Sequence, residues 1–333
     1  MIRNPRISVV MSVFNGLPYL RKAIDSILCQ TFDDFEFIIV DDGSTDGSAN
    51  VIRAYHDDRI VLVERQHEGF IDGINFAVEM ARAELVSRMD ADDISLPDRL
   101  QTQYDWMRQN PGVGVLGTGF ELIDSEGVTT SRGFGCPGAH EEILRNILSF
   151  QGGVSMVHPS VTLWRDCIKR AGGYHRRFEV CEDTDLWLRI SEFAELHVIP
   201  DVLLLLRKHS GNVSVTRSQT QLLNTLCSRL CYWRRQEGLP DPSLGSDEAW
   251  EDLRTFVADV MSKRGLNIAY EAWVSLSTRF GARDSIRRCW PVLKAVAVCP
   301  ELMNAVWFKR RLGHVMGDLM HTRNQFPRVG CSV

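Results

Sequence analysis

One apolar run that ends abruptly in three carboxylates constrains this chain most. Residues 85–89 are typical of a buried strand, and Asp90, Asp92 and Asp93 follow at once. A helix is predicted directly after them, with Ser95 as its N-cap. Three acids in four residues repel one another, so a fold that fixes them needs a cation nearby. Their hard oxygen ligands suit Mg²⁺ or Mn²⁺, and a solvated acidic turn is the alternative for this motif taken alone.

Strands alternate with helices over the first hundred residues. The pattern predicts strands over residues 7–12, 35–40 and 60–64. Apolar residues that step by three and four from Ile71 to Ile74 and onward predict a helix before the acidic run. Such βαβ units are right-handed and build a parallel sheet with both faces covered by helices.

Polar residues follow three of these strands at the point where each strand ends. Phe14 and Asn15 come after the first strand, Asp41 and Asp42 after the second, and the acidic run after the fourth. Ligands of parallel α/β sheets gather beyond the carboxyl ends of the strands. Any one of these segments can be a simple turn, but three at one edge favour a binding site.

A glycine motif over residues 112–117 matches the dinucleotide-binding fingerprint in its letters only. It follows a predicted helix that ends near Asn110 and runs into more strand, whereas the fingerprint has to open a helix. Without a helix N-terminus there is no place to hold a pyrophosphate. We interpret these glycines as a tight turn and a closely packed strand.

Beyond residue 125 the pattern becomes mixed. Helices are predicted over residues 141–150 and 185–193, and strands over residues 160–164, 196–199 and 202–206. From about residue 217 the sequence is helical in character, with a Gly- and Pro-rich interruption at residues 238–245.

Composition limits the cellular setting. The 333 residues are 44% hydrophobic and 24% charged, as in an ordinary globular protein, and the net charge of −5 argues against a nucleic-acid partner. Nine cysteines without C-x-x-C spacing indicate reduced thiols, and Cys227 and Cys231 read as core residues. The N-terminus runs straight into a strand, leaving no room for a signal peptide. We therefore expect a cytoplasmic protein.

Residues 290–320 are predicted to be packing helices, with a helix resting on the inner face of the membrane as the alternative.

Four motifs occur in a characteristic order, over residues 9–15, 39–46, 88–93 and 182–189. Together they resemble family 2 glycosyltransferases of the GT-A fold, and the likeness extends over residues 7–214. The resemblance implies a Rossmann-like α/β fold with a mostly parallel sheet and flanking helices. It implies a catalytic domain over residues 1–216, with a nucleotide-binding half to about residue 124 and an acceptor half after it. Residues 217–333 then form a helical region for oligomerisation or membrane-surface contact.

The resemblance also implies a reaction, the inverting transfer of a sugar from a nucleotide-sugar, most often a UDP-sugar, to an acceptor hydroxyl. Phe14 would stack on the base, Asp42 would accept a hydrogen bond from its ring N–H, and Asp90 would lie near the ribose. Asn15 and Asn75 complete the expected nucleotide-binding set. The acceptor would be a saccharide or a lipid-linked saccharide, in the synthesis of a surface polysaccharide or glycoconjugate.

A metal site follows from the same resemblance. Asp92 and Asp93 would hold Mn²⁺ or Mg²⁺ against the diphosphate, and His209 matches a position that supplies a further ligand in many relatives. A loop or core histidine is the alternative for His209.

The catalytic base implied by the resemblance is Asp183, which would take the acceptor proton. The alternative is that Asp183 and its neighbour Glu182 are simply acids favoured at a helix N-terminus. Glu182, Trp187 and His158 are expected to line the donor or acceptor sugar.

Two other functional classes use some of the same features. A nucleotidyl- or phosphotransferase also needs a carboxylate-bound metal, but the sequence has no P-loop. A non-catalytic sugar-nucleotide sensor needs the nucleotide pocket but has no use for a base at Asp183.

Overall fold

The computed structural model describes residues 4–134, 137–148 and 156–263. Within these ranges the chain forms one nine-stranded sheet with the order β3-β2-β1-β4-β8-β6-β9-β5, and β7 pairs with β6. The strands are β1 Ile7–Val13, β2 Phe35–Asp41, β3 Ile60–Glu64, β4 Leu85–Arg88, β5 Ile94–Ser95, β6 Val113–Ile123, β7 Thr129–Phe134, β8 Thr162–Trp164 and β9 Glu195–Arg207.

Helices cover both faces of the sheet, and further helices follow its last strand in the sequence. They are α1 Leu20–Leu28, α2 Ser48–Arg53, α3 Phe70–Met80, α4 Arg99–Gln109, α5 His140–Leu148, α6 Arg165–Arg170, α7 Glu182–Ile190, α8 Val213–Thr216, α9 Ser218–Gln236 and α10 Asp247–Lys263. Short 3-10 turns occupy His158–Ser160, Arg176–Phe178 and Pro242–Leu244.

The first four strands in the order, β3, β2, β1 and β4, are parallel, as the alternating pattern predicts. Every residue of β1 and β2 is buried. Because neighbouring side chains of a strand point to opposite faces, Val9 packs in the cluster that contains α1 whereas Val10 packs in the cluster that contains α3. An apolar run without alternation is thus the signature of a strand covered on both sides.

The other half of the sheet is mixed, which the expectation of a parallel sheet did not include. β8 is antiparallel to β4, and β6 is antiparallel to β8, so β6 runs in the same direction as β4. β9 is parallel to β6. The carboxyl ends of β1, β2, β4, β6 and β9 therefore lie at one edge of the sheet, which brings loops from both halves of the chain together.

Several predicted boundaries need correction. Ser95 does not cap a helix, because it lies in β5, pairs with Leu204 of β9 and accepts a hydrogen bond from Gln30; α4 begins only at Arg99. The two short strands predicted after residue 195 form one strand, β9, with a register shift against Gly119. The predicted helix over residues 185–193 begins three residues earlier, at Glu182.

The glycine motif of residues 112–117 leads into β6, in agreement with its interpretation as a turn and a packed strand. A Cβ at Gly114 would lie 2.8 Å from the Cβ of Ala194 and 2.9 Å from Ile190 Cγ2. This glycine therefore serves close packing between β6 and the end of α7.

The helices α9 and α10 share a hydrophobic cluster of their own. Phe178, Leu226, Trp250 and Val257 are among its members, and it also contains the buried free thiols Cys227 and Cys231, which were predicted to be core residues. The interruption predicted at residues 238–245 falls between these two helices. Residues 290–320 lie outside the described residues, and the division at residue 217 stays a prediction. In the described ranges we find no helix with the length and apolar character needed to cross a bilayer.

Candidate active site

Three carboxylates cluster where β4 ends. Asp90, Asp92 and Asp93 each offer an oxygen atom, and these atoms lie within 4.8 Å of one another. Asp93 is 2% exposed, and its Oδ1 accepts the backbone N–H of Arg207 at 2.7 Å. Its Oδ2 is buried without a hydrogen-bond partner. This oxygen lies among the other carboxylates of the cluster and is free to accept a cation.

His209 reaches this cluster from the loop after β9. Its Nε2 lies 3.0 Å from Asp92 Oδ2, and Asn212 Nδ2 donates to the same oxygen at 3.2 Å. The backbone N–H of Gly211 donates to His209 Nδ1 at 3.2 Å, which leaves Nε2 as the ring atom facing the carboxylate. The shared sheet edge thus joins His209 to the acidic run, as the metal-site prediction requires, although their loops are far apart in sequence.

Burial and mutual repulsion disfavour the ionised forms of Asp92 and Asp93. Burial raises the pKa of Asp92, and the charge of Asp90 raises it further. Burial raises the pKa of Asp93 well above its usual range, again with help from its two neighbours. Lys208 lies nearby, but its burial lowers its own pKa. The three clustered carboxylates, the adjacent His209 and the unpartnered Oδ2 of Asp93 fit a divalent cation such as Mg²⁺ or Mn²⁺.

Two buried arginines bind the acidic run through an ion pair and through hydrogen bonds to its backbone. Arg88, 1% exposed, forms an ion pair with Asp90, and its guanidinium lies 5.1 Å from the ring centroid of Phe70. Arg207 Nε donates to the backbone carbonyl of Asp92 at 2.7 Å, and its Nη1 donates to the carbonyl of Asp124 at 2.9 Å. Both arginines therefore fix the loop that carries the acidic run.

Asp183 and Glu182 occupy the first turn of α7. Asp183 is half-buried, and its Oδ1 accepts the backbone N–H of Thr184 at 2.6 Å. Burial raises the pKa of Asp183, and the charge of Asp90 contributes to that rise. Burial, followed by the charge of Asp183, raises the pKa of Glu182 to about 8. The start of α7 is connected to the acidic run through side-chain contacts, since the Arg88 that pairs with Asp90 lies over Phe70 and Phe70 lies edge-on to His158 beside Glu182.

Behind Glu182 lies a small network of aromatic residues. His158 Nε2 is 2.9 Å from the hydroxyl of Tyr174, and its Nδ1 is 3.7 Å from Glu182 Oε1. Burial lowers the pKa of His158 well below its usual range, so the ring is neutral. Trp187 is 1% exposed and packs edge-on against His158 at a centroid distance of 5.9 Å. Because Trp187 is buried, it does not make the contact with a sugar that was expected, and it packs against His158 instead.

Phe14 and Asn15 lie in the loop after β1. Phe14 is 48% exposed and stacks on His67 with ring centroids 4.0 Å apart. The backbone N–H of Asn15 donates to Ser44 Oγ at 2.9 Å, and its Oδ1 accepts the backbone N–H of Thr45 at 2.9 Å. Asn15 therefore ties the loop after β1 to the loop after β2, and Phe14 remains available to a flat ligand.

Asp42 and Asn75 are engaged with the backbone of neighbouring loops. The carboxylate of Asp42 accepts the N–H groups of Glu68 and Gly69, both at 2.9 Å. Asn75 donates to the carbonyl of Tyr174 and accepts its N–H, both at 2.8 Å. These contacts give both side chains a structural task, and their predicted contacts with a nucleotide stay predictions.

One further acceptor at this edge did not appear among the predicted site residues. Asp41, the last residue of β2, has a buried Oδ1 without a hydrogen-bond partner, next to the fully engaged Asp42. The Asp41-Asp42 pair was visible in the sequence, but only the structure shows that both oxygens of Asp42 accept backbone N–H groups, whereas Asp41 accepts the N–H of Ser44 at Oδ2 and none at Oδ1. Arg207 and Asn212 were missed because their contacts with the acidic run depend on the sheet order.

Comparison with known proteins identifies the family. The family model described as "Glycosyl transferase family 2" matches residues 8–155. The O-antigen biosynthesis glycosyltransferase WbnJ of Escherichia coli is 36% identical over 187 residues, which are 55% of this chain and 71% of that protein. The chain belongs to glycosyl transferase family 2. An uncharacterised glycosyltransferase of Methanocaldococcus jannaschii is 29% identical over 239 residues, or 70% of this chain and 81% of that protein.

Solved structures share the fold of this glycosyltransferase. The mannosyltransferase PcManGT from Pyrobaculum calidifontis, in complex with GDP-Man and Mn²⁺, has a TM-score of 0.55 at 19% identity, over 92% of this chain and 89% of that chain. S. aureus TarS 1-349 in complex with UDP-GlcNAc has a TM-score of 0.53 at 16% identity, over 87% of this chain and 91% of that chain. These similarities confirm the predicted GT-A fold.

Proposed function

We propose that this family 2 glycosyltransferase moves a sugar from a nucleotide-sugar, with a UDP-sugar as the first donor to test, onto an acceptor hydroxyl. Transfer inverts the anomeric carbon and serves the synthesis of a surface polysaccharide; the E. coli relative is named for O-antigen biosynthesis. The observation that carries the proposal is a short chain of contacts from the acidic run to the residue beside Asp183. Arg88 pairs with Asp90 and lies over the ring of Phe70, Phe70 lies edge-on to His158 at 6.2 Å, and His158 Nδ1 lies 3.7 Å from Glu182 Oε1. A base and a diphosphate-binding cluster at the two sides of one cleft are what a single displacement needs.

The nucleotide end of the cleft would be formed by the loops after β1 and β2. The exposed ring of Phe14 offers a stacking surface for a base. Asp42 would accept the ring N–H of the base, as predicted, in addition to the two backbone N–H groups that it already receives.

The diphosphate would lie at the acidic run. Asp92 and Asp93, with His209 beside Asp92, would hold Mg²⁺ or Mn²⁺, and Asp90 would be directed toward the ribose. Such an ion, when bound, neutralises the charge that grows on the departing diphosphate. The buried Arg88 and Arg207 keep the acidic loop in place while that charge develops.

At the other side of the cleft, Asp183 would accept the proton of the attacking hydroxyl. The raised pKa of Asp183 makes its carboxylate more basic than an ordinary one. A carboxylate is a sufficient base here because the hydroxyl proton becomes acidic only as the new bond forms. Glu182, with its pKa of about 8, stays protonated at neutral pH and can donate a hydrogen bond to a sugar oxygen. The neighbouring acids therefore take different roles, one as base and one as hydrogen-bond donor.

Thermal-shift measurements with UDP and GDP, each with and without Mn²⁺, test the donor site. A rise in Tm that needs both UDP and Mn²⁺ is expected, and no rise with either nucleotide would contradict the proposal. A panel of UDP-sugars, followed by release of UDP with and without saccharide acceptors, then identifies the donor.

The Asp183→Asn variant tests the base. Loss of general-base catalysis is expected to lower kcat by about 10² to 10⁴-fold, while the UDP-dependent rise in Tm is kept. Retained turnover would show that the base is another residue. Donor binding without turnover in the wild type would favour the sensor function instead.

A further inference from the structure

The segment just before the base is held in an unfavourable backbone conformation. Residues 176–181, which we call the pre-base segment, run from a 3-10 turn to the N-cap of α7. Within it Val180 has a φ of 63°. A β-branched residue rarely adopts positive φ, and it does so only where surrounding contacts force the backbone to stay there.

Those contacts come largely from the C-terminal helical region. Arg177 Nη1 lies 3.0 Å from the backbone carbonyl oxygens of Pro242, Ser243 and Gly245, and its Nη2 lies 2.6 Å from Asp247 Oδ1. The Arg177 side chain is 23% exposed. The guanidinium of Arg177 thus binds the turn between α9 and α10 to the pre-base segment.

The helix α9 holds the two residues that flank Val180. Asn224 Nδ2 donates to the backbone carbonyl of Glu179 at 2.8 Å, and Arg217 forms an ion pair with the carboxylate of Glu179. On the other side, the Sγ of Cys181 lies 3.3 Å from the hydroxyl of Thr225. The strained residue is therefore fixed from both neighbours by one helix.

Hydrophobic packing adds to these polar contacts. Phe178, which is fully buried, packs edge-on against Trp250 of α10 with ring centroids 5.0 Å apart. It belongs to the hydrophobic cluster shared by α9 and α10, rather than to either cluster of the sheet. Through Phe178, the pre-base segment is therefore part of the hydrophobic cluster shared by α9 and α10.

We propose that α9, α10 and the turn between them position the catalytic base of this enzyme, with Arg177 as the principal positioning residue. The inference rests on the proposed function in one respect, the role of Asp183 as base. Asp183 follows the pre-base segment by two residues, so a segment that relaxes from the positive φ of Val180 redirects the first turn of α7. The C-terminal helices would thus be needed for turnover without contacting either substrate.

The test compares Arg177→Met with Arg176→Met in the full-length protein. Arg176 lies in the same 3-10 turn, but its side chain is 75% exposed and pairs with Asp72 of α3, away from the C-terminal helices. Arg177→Lys keeps the charge, and Thr225→Val removes only the hydroxyl that faces Cys181, in case Arg177→Met does not fold. Hydrogen exchange of the amides at residues 182–186 is measured together with kcat, KM for the donor and the nucleotide-dependent rise in Tm.

Arg177→Met is expected to lower kcat by about 10- to 100-fold, because a shift of about 1 Å at a reacting group has an effect of that size. The donor KM and the nucleotide-dependent rise in Tm should stay within about twofold, and the amides of residues 182–186 should exchange faster. Arg177→Lys should recover part of kcat, Thr225→Val should show a smaller effect in the same direction, and Arg176→Met should resemble the wild type.

Unchanged exchange at residues 182–186, or faster exchange with unchanged kcat, would overturn the inference. A parallel loss of kcat and of nucleotide binding would also overturn it, since that result indicates general damage to the fold. If the wild type transfers no sugar, the proposed function fails by itself. In that case the exchange data still decide whether the C-terminal helices hold the start of α7.

Discussion

The buried carboxyl of Glu182 should make this protein less stable as pH rises. Glu182 is 9% exposed and lies beside Asp183, and its pKa is raised from an ordinary 4.5 to about 8. Between these two values the folded protein keeps a proton that the unfolded chain has lost. The free energy of unfolding therefore falls with increasing pH across this window, and the decrease is complete only above pH 8.

The size of the effect follows from the two pKa values. A rise from 4.5 to about 8, at about 1.36 kcal/mol for each pH unit, sets an upper bound of about 5 kcal/mol. Asp183 titrates with Glu182 and shares this cost, so we expect roughly half of it, about 2 kcal/mol, to depend on Glu182 alone. Glu182→Gln keeps the shape of the neutral acid and removes the titration.

Urea unfolding at pH 5 and pH 8, in the presence of EDTA, measures this difference. From pH 5 to pH 8 the Glu182→Gln variant should gain about 2 kcal/mol of stability relative to the wild type, through a shift of the midpoint at constant m. Glu237→Gln, at an exposed position, is the matched control and should follow the wild type. Equal pH dependence in Glu182→Gln and the wild type would refute the reasoning that burial keeps this carboxyl protonated.

Two other predictions concern the metal cluster and the contact between α3 and the turn after α6. Asp93→Asn should abolish the rise in Tm caused by Mn²⁺, and a retained Mn²⁺ response would contradict the metal assignment. The Tm measured in EDTA should not fall, because the substitution removes a buried ionisable group while an oxygen remains to accept the Arg207 N–H. Asn75→Ala should lower the free energy of unfolding in urea by about 1 to 3 kcal/mol, since both backbone groups of Tyr174 lose their partner. If the loss is no larger than that of Asn50→Ala, at an exposed position, the two hydrogen bonds of Asn75 contribute little to stability.

The parallel half of the sheet could be predicted because its strands are buried on both faces. Such strands appear in the sequence as apolar runs with sharp polar ends, and the predictions for β1 and β2, in which every residue is buried, agree with the structure to within one residue. Pairing across the sheet leaves no such local signal. Ser95 has the chemistry of an N-cap, but its side chain is bound by Gln30, which is 65 residues away in sequence. β9 was divided at Pro200, whose carbonyl in fact lies against Gly119, where a Cβ would approach it to 2.9 Å.

The candidate site shows the same limit at the level of single atoms. Residue types in the right order were enough to propose Asp92, Asp183 and His209 as site residues, and the structure brings His209 to Asp92. They could not show which acceptors the protein itself already uses, as Asp42 does with two backbone N–H groups. Nor could they show that Trp187 is covered by His158, because burial depends on how α7 packs.

The hydrogen bonds between the loops after β1 and β2 have a thermodynamic consequence. Asn15 joins them at Ser44 and Thr45, and Asp46 accepts the backbone N–H of Leu17 at 3.0 Å. The conformational entropy of both loops is therefore lost when the protein folds and not when a nucleotide arrives. A rigid wall of this kind lets a weak stacking contact such as that of Phe14 contribute its full free energy to affinity.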